Sequence, residues 1–290
     1  MIRIALLGAG SHSRYNHGPG LRAAAAKYPD LVELAAVCDL DADKARAYAE
    51  AWSIPKAFGS YEEMLADPEI DVAYISLPNT LHAEWTVKAA DAGKHVICEK
   101  PIVPTLSELD LIEAAVARNN VVVFEAFMYL HHPQTLTLQR MVSEGRVGRL
   151  QLIRSWFSFY LPREQSTNIR LNPALAGGSL WDVGVYPNSM AITFAGRPPA
   201  EVWAQQVVGE TGVDVTMIGQ MRFDGAIGSA VEAIARIVVG IEIDDGQRCV
   251  FGDALGQQRP HTRRRERTQQ IVAEGIGGDG AEKAGGIAEP

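Results

Sequence analysis

IRIALLGAGSHS, residues 2–13, decides how the chain is read. Its first six residues are apolar enough for a buried strand, and Gly8 and Gly10 then open a turn. Residues 21–27 (LRAAAAK) follow with the composition of a helix. In the order strand, glycine turn, helix, backbone N–H groups left accessible by small residues can cradle a pyrophosphate at the helix N-terminus. A lone G-x-G is weak, and the third fingerprint position is Ser13 rather than glycine. Its placement strengthens it, because residues 32–38 (VELAAVC) form a second apolar run that ends at Asp39, where a carboxylate can reach ribose hydroxyls. That charge repels a 2′-phosphate, so the expected cofactor is NAD, with NADP not excluded. The alternative is a structural turn with Asp39 as an ordinary helix N-cap.

Outward from this start the pattern repeats. Asp39 is followed by a helix-forming segment, residues 41–52, with acidic residues at its start. Residues 72–77, 95–98 and 121–124 are short β-branched runs, and residues 81–92 and 106–118 between them read as helices. Such alternation predicts an α/β doubly wound parallel sheet of Rossmann type over residues 1–124. From 125 to 245 the pattern changes. A helix at 133–144, a strand at 150–160, a helix at 178–195, and strand-like runs at 201–208, 213–223 and 228–239 predict an α+β domain with an open, mostly antiparallel sheet. Residues 246–290 are glycine-rich or charged without periodicity and read as a poorly ordered tail.

The totals narrow the functional classes. The chain has 290 residues, more than the ~100–200 of a typical domain, so two domains are expected. A net charge of −8 provides no field that would gather nucleic acid or anionic lipid, which leaves small-molecule partners. The basic run at residues 263–267 is read as solvated. Cys38, Cys98 and Cys249 are scattered and odd in number, which supports neither a disulfide framework nor a zinc knuckle. With no signal-like or membrane-length apolar run at the start, a reducing cytoplasm is the expected location. His131-His132 lacks a carboxylate partner and is read as a solvated turn, so no metal site is expected.

Two motifs carry candidate chemistry. In HVICEKPIV, residues 95–103, Lys100 follows an apolar strand and precedes Pro101, placing it at the carboxyl end of a parallel strand, where ligands bind in such sheets. Burial and a positively charged nicotinamide would both lower its pKa and suit it to proton transfer; a surface turn is the alternative. In GGSLWDVGVYPN, residues 177–188, Asp182 and Tyr186 are four apart and share a helix face. A nearby lysine would lower the tyrosine pKa from about 10; a satisfied interior Asp with a packed aromatic is the alternative.

Together with LPNTLHAEW (77–85), GKHVICEKP (93–101), FEAFMYLHHPQ (124–134) and NIRLNPAL (168–175), these stretches resemble the glucose-fructose oxidoreductase and inositol dehydrogenase family, Gfo/Idh/MocA, and within it the subgroup with xylose and dihydrodiol dehydrogenases. The resemblance runs from residue 2 to about 225. It implies an NAD(P)-dependent oxidoreductase acting on a hydroxyl carbon of a sugar or cyclic polyol, and commonly a homodimer or higher homo-oligomer built through the second sheet. It implies roles as well: Lys100 bonds the substrate hydroxyl and ribose, Tyr186 is the general base, Asp182 positions the sugar, and Gly8, Gly10, Asp39, Pro78, Asn79 and Glu99 contact cofactor, with a Lys100-Pro101 bond that is often cis. Three departures stand out. The glycine loop SHSRYNHGPG is one residue longer than in common relatives, Leu130 stands where subgroup members often carry arginine, and the last family segment is not recognisable after about Asp245, as a shifted reading frame or truncated gene would leave it. The rivals are a dinucleotide-binding sensor of the same fold and a truncated, inactive relative.

Overall fold

The computed structural model describes residues 1–162, 165, 167–224, 233–243 and 270–272, the last two segments for their backbone only. Six strands form the first sheet: β1 (Ile2–Leu7), β2 (Val32–Cys38), β3 (Lys56–Phe58), β4 (Val72–Ile75), β5 (His95–Cys98) and β6 (Val123–Glu125). They lie in the order β3-β2-β1-β4-β5-β6, and every pair is parallel. The reversal of strand order between β1 and β4 makes the crevice in which doubly wound sheets hold ligands.

Helices α1 (Gly18–Lys27), α2 (Ala42–Trp52), α3 (Tyr61–Ala66), α4 (His82–Asp91) and α5 (Leu106–Asn119) cover the two faces. One face packs Leu6, Leu34 and Val37 against Tyr48 and Ala49 of α2, and the other packs Leu7, Ala73 and Ile75 against Met64 and Trp85. Strand β3 and helix α3 are absent from the sequence reading. Three residues carry no periodicity, and β3 is fixed only by its pairing to β2.

The glycine loop differs from expectation in a second way. Helical structure begins at Ser11 rather than at residue 21, and runs through a π-helical turn, Ser13–His17, into α1. A π turn takes up one extra residue without breaking the helix. Gly8, at φ 96°, lies so close to β4 that a Cβ would stand 2.6 Å from the Ser76 carbonyl oxygen. Close helix packing, the usual task of a third fingerprint glycine, falls instead to Gly18, whose Cβ would meet the Tyr48 hydroxyl at 2.7 Å. Ser13 is fully buried and its Oγ lies 3.1 Å from the same hydroxyl.

Beyond β6 come α6 (Pro133–Ser143), β7 (Leu152–Leu161), a second π-helical turn (Leu180–Gly184) leading into α7 (Val185–Ala195), β8 (Glu201–Val208), β9 (Asp214–Phe223), β10 (Ala233–Ile243) and β11 (Gln270–Val272). The second sheet has the order β11-β7-β10-β9-β8, with only the β7–β10 pair parallel. Helix α7 packs Met190, Ala191 and Phe194 with Ile153 of β7 and Met221 and Phe223 of β9 to form this region's core. His132 caps α6 by accepting from the Gln134 N–H, and both His131 and His132 are exposed. Apart from β11, the segment 246–290 lies outside the described residues, as does the start of the strand expected from residue 228.

Candidate active site

The carboxyl ends of β1, β2, β4 and β5 converge on one rim, and the residues named from the sequence lie along it. At the end of β2, Asp39 accepts from the Ala9 N–H at 2.9 Å, the Asp41 N–H at 3.1 Å and the Lys44 ammonium at 3.0 Å. Burial works against its charge, but Lys44 and the two backbone donors outweigh it and hold the carboxyl below the usual range. The N-cap of α2 is Asp41, not Asp39: its side chain accepts from the Asp43 and Lys44 N–H groups. Asp39 is therefore free of capping and ties the glycine turn to the second strand. At Gly10 the space a Cβ would occupy is open to 4 Å, so the turn presents backbone to the crevice.

Behind β4, Pro78 precedes a short 3-10 turn, Asn79–Leu81. The Asn79 amide donates to the Ala176 carbonyl at 3.0 Å, reaching across to the segment before α7. Behind β5, Glu99 accepts from the Tyr74 hydroxyl at 2.9 Å and pairs with His17 Nε2 at the same distance, both through Oε1. Burial would raise the Glu99 pKa, but the His17 and Tyr74 contacts lower it on balance.

Lys100, next in the chain, has a cis peptide bond to Pro101. Its ammonium donates to the Asp182 carbonyl at 2.6 Å and lies 3.3 Å from Asp182 Oδ1, with both side chains 14% exposed. The other carboxylate oxygen of Asp182 accepts from Arg170 Nε at 2.6 Å. Lys100 Nζ also stands 5.4 Å from the centroid of the Tyr186 ring, which packs edge-on to Phe127 and Tyr129 and against Phe157. Asp182 in the π turn and Tyr186 at the start of α7 thus both lie beside Lys100.

One expectation is overturned. The Tyr186 pKa is raised, not lowered: burial is the largest cause, and the Glu99 and Asp182 carboxylates add to it. The Lys100 ammonium is engaged by Asp182 and stands over the ring, and its charge does not offset burial.

The sequence reading did not assign roles to three residues on this rim. Arg170 lies inside the quoted stretch NIRLNPAL, but a single arginine there has no signal separating it from a surface charge. His12 and His17 belong to the loop noted as unusual, and only the π turn brings their rings to 4.9 Å. Partial desolvation of the ring, with help from His17, lowers the His12 pKa, although the residue as a whole is exposed. Among the described residues, no helix is long and apolar enough to cross a membrane.

Comparison with known proteins identifies a family. Residues 2–127 match the oxidoreductase family with an NAD-binding Rossmann fold, GFO_IDH_MocA, and residues 135–237 match the GFO/IDH/MocA C-terminal domain. A D-xylose 1-dehydrogenase (NADP(+)) of Haloferax volcanii is 40% identical over 201 residues, covering 69% of this chain and 61% of its own length. A trans-1,2-dihydrobenzene-1,2-diol dehydrogenase of Danio rerio is 34% identical over 197 residues, 67% of this chain and 57% of its own. The chain thus spans about three fifths of these curated relatives. Among solved structures, an NAD binding oxidoreductase from Klebsiella pneumoniae superposes with a TM-score of 0.73 at 28% identity, covering 82% of this chain and 66% of that one. A 3-ketoreductase from Actinomadura kijaniata, solved with NADP and TDP-benzene, gives a TM-score of 0.69 at 28% identity, covering 83% and 70%.

Proposed function

Because the chain belongs to the Gfo/Idh/MocA family of oxidoreductases, we propose that it is an NAD(P)-dependent oxidoreductase acting on the hydroxyl carbon of a sugar or cyclic polyol. The observation that carries the proposal is the Lys100–Asp182 pair, which joins the end of a Rossmann strand to the second region directly over the Tyr186 ring. A non-catalytic sensor has no need of an ammonium, a carboxylate and a phenol brought together from sites 82 residues apart.

The residues present fit a nicotinamide dinucleotide. The turn from Gly8 to Gly10, open at Gly10, would hold the pyrophosphate, Asp39 the adenosine ribose, and Pro78, Asn79 and Glu99 the nicotinamide ribose. When bound, the nicotinamide accepts or supplies the hydride. Lys100, on releasing the Asp182 carbonyl, would donate to the reacting oxygen, and Asp182, steadied by Arg170, would accept from a neighbouring sugar hydroxyl. Tyr186 would exchange the proton with the reacting oxygen. Its raised pKa keeps the phenol protonated near neutrality, which suits proton donation during carbonyl reduction and makes alcohol oxidation the alkaline direction. The aromatic rings around Tyr186 would keep water from the reacting carbon.

On this reading residues 1–124 carry the cofactor and 125–245 the substrate and a subunit contact. A second copy of the chain is the expected partner for the open second sheet, where Trp203, Val207 and Tyr160 are exposed. The buried free thiols of Cys38 and Cys98 suit a reducing cytoplasm.

The test uses the purified chain with NAD or NADP and a panel of aldoses, ketoses and cyclic polyols, followed at the reduced-nicotinamide absorbance. Turnover is expected with at least one pair. Lys100→Met should lower kcat by about 10²–10⁴-fold while dinucleotide affinity stays within a few fold. Measured dinucleotide binding with no turnover across the panel would overturn the enzymatic reading in favour of a sensor.

A further inference from the structure

Beside Glu99 the crevice holds two histidines, His12 and His17, that the proposed reaction leaves without a task. His12 precedes the first π-helical turn and His17 ends it. A π turn closes through i→i+5 contacts, so these two residues, five apart, stand side by side where an α-helix would separate them. The His17 side chain is 10% exposed. Its Nε2 lies 2.9 Å from Glu99 Oε1, and its Nδ1 is buried without a hydrogen-bond partner. His17 presents Nε2, not Nδ1, to Glu99, and with the ring proton on Nδ1 the Nε2 lone pair is free to serve as a metal ligand. One donor atom each from His12, His17 and Glu99 lies within 4.8 Å of the others.

We propose that His12, His17 and Glu99 form a binding site for a zinc-class divalent cation, and that the cation and the dinucleotide exclude one another. Two imidazoles and a carboxylate with a fourth position left for water match a common zinc donor set, and mixed nitrogen and oxygen donors favour zinc-class ions over magnesium or calcium. Metal–ligand bonds of about 2.0–2.2 Å require donor atoms roughly 3.3 Å apart, so separations of up to 4.8 Å must contract by up to about 1.5 Å. His12 supplies that movement. It is exposed, and its Nδ1 meets only the Asn16 amide, at 3.3 Å, among the described residues. The mutual exclusion rests on the function proposed above, since it follows from Glu99 serving the nicotinamide ribose; cation binding itself does not.

The full chain, stripped of metal by a chelator, is titrated with zinc chloride in a calorimeter without dinucleotide or sugar. One zinc per chain is expected, and His12→Asn, a change on an exposed turn whose folding is checked by thermal melting, should weaken it by more than about tenfold. Dinucleotide binding, read by tryptophan fluorescence, should weaken with rising zinc in the wild type and stay constant in His12→Asn. An absence of zinc binding, or equal binding by both proteins, overturns the site. Zinc bound through His12 with no effect on dinucleotide affinity overturns the exclusion. The calorimetric arm needs no turnover, so it is decided separately from the enzymatic reading.

Discussion

Tyr186 sits in the least polar part of the site, and its chemistry follows from that. Burial and two carboxylates hold its proton on, so the phenolate form is reached only in alkaline solution. If Tyr186 is the proton-exchanging group, the rate of alcohol oxidation should rise with pH through the alkaline range, while carbonyl reduction, which needs the protonated phenol, should stay level near neutrality. Tyr186→Phe should remove that dependence and lower kcat by about 10²–10⁴-fold, as stopped-flow traces in both directions would show. An oxidation rate that is flat with pH in the wild type would remove Tyr186 from the role. At the same scale, the candidacy of Lys100, Asp182 and Tyr186 was legible mainly through the family resemblance, and that of Asp39 through its place at the end of the second apolar run. Their electrostatics were not. Lys100 and Tyr186 lie far apart in the sequence, which shows neither that they meet nor that the ammonium stands over the ring, already held by an aspartate carbonyl.

Among the elements, the join between β4, α4 and β5 decides where Lys100 points. His82, 1% exposed, lies with Nδ1 2.7 Å from the Pro101 carbonyl and Nε2 2.9 Å from the Leu77 carbonyl. It thus ties the turn after Lys100 to the turn that carries Pro78 and Asn79. Two carbonyls would suit an imidazolium, but burial outweighs them and lowers the pKa, so the ring is neutral and donates to one of the two. The unfolded chain binds this proton more readily than the folded one, so the linked stability is complete above the ordinary histidine pKa of about 6.5 and falls as pH drops below it. His82→Ala should lower unfolding free energy by about 1–3 kcal/mol in urea titrations at neutral pH. The acid-side loss tied to this proton should vanish in the variant. It should also reduce kcat more than it changes KM if Lys100 loses its aim. In this half the alternation of parallel strands and helices was legible, apart from β3 and α3, because β-branched runs alternate with capped helices, as at Thr105 and Glu108, whose side chains form a capping box at the start of α5. The π turns were not, since no periodicity announces an inserted residue that the helix absorbs.

At the scale of the molecule, the second sheet leaves one face and the β8 edge uncovered among the described residues. Strand β8 is exposed along its whole length, with Val202 64% and Trp203 57% accessible. Apolar exposure of this kind marks an association surface, and a second copy is the proposed partner. Trp203→Glu should shift the chain toward monomer in sedimentation velocity without lowering its melting temperature by more than a few degrees; an unchanged oligomeric state would place the contact elsewhere. The antiparallel character of this sheet was legible from long successive strands, but its order was not. Nothing local tells β10 to enter between β9 and β7, and to run parallel to β7, because that choice is made by packing against α7. The insertion has a consequence in time. Ile234 pairs with Leu152, so β7 leaves the ribosome 82 residues before its neighbour exists. At about 5–20 residues per second that is a wait of about 4–16 s with a ten-residue strand unpaired. Crowded synthesis is therefore the moment at which this protein is most exposed to aggregation, and slower translation after β7 should lower its soluble yield.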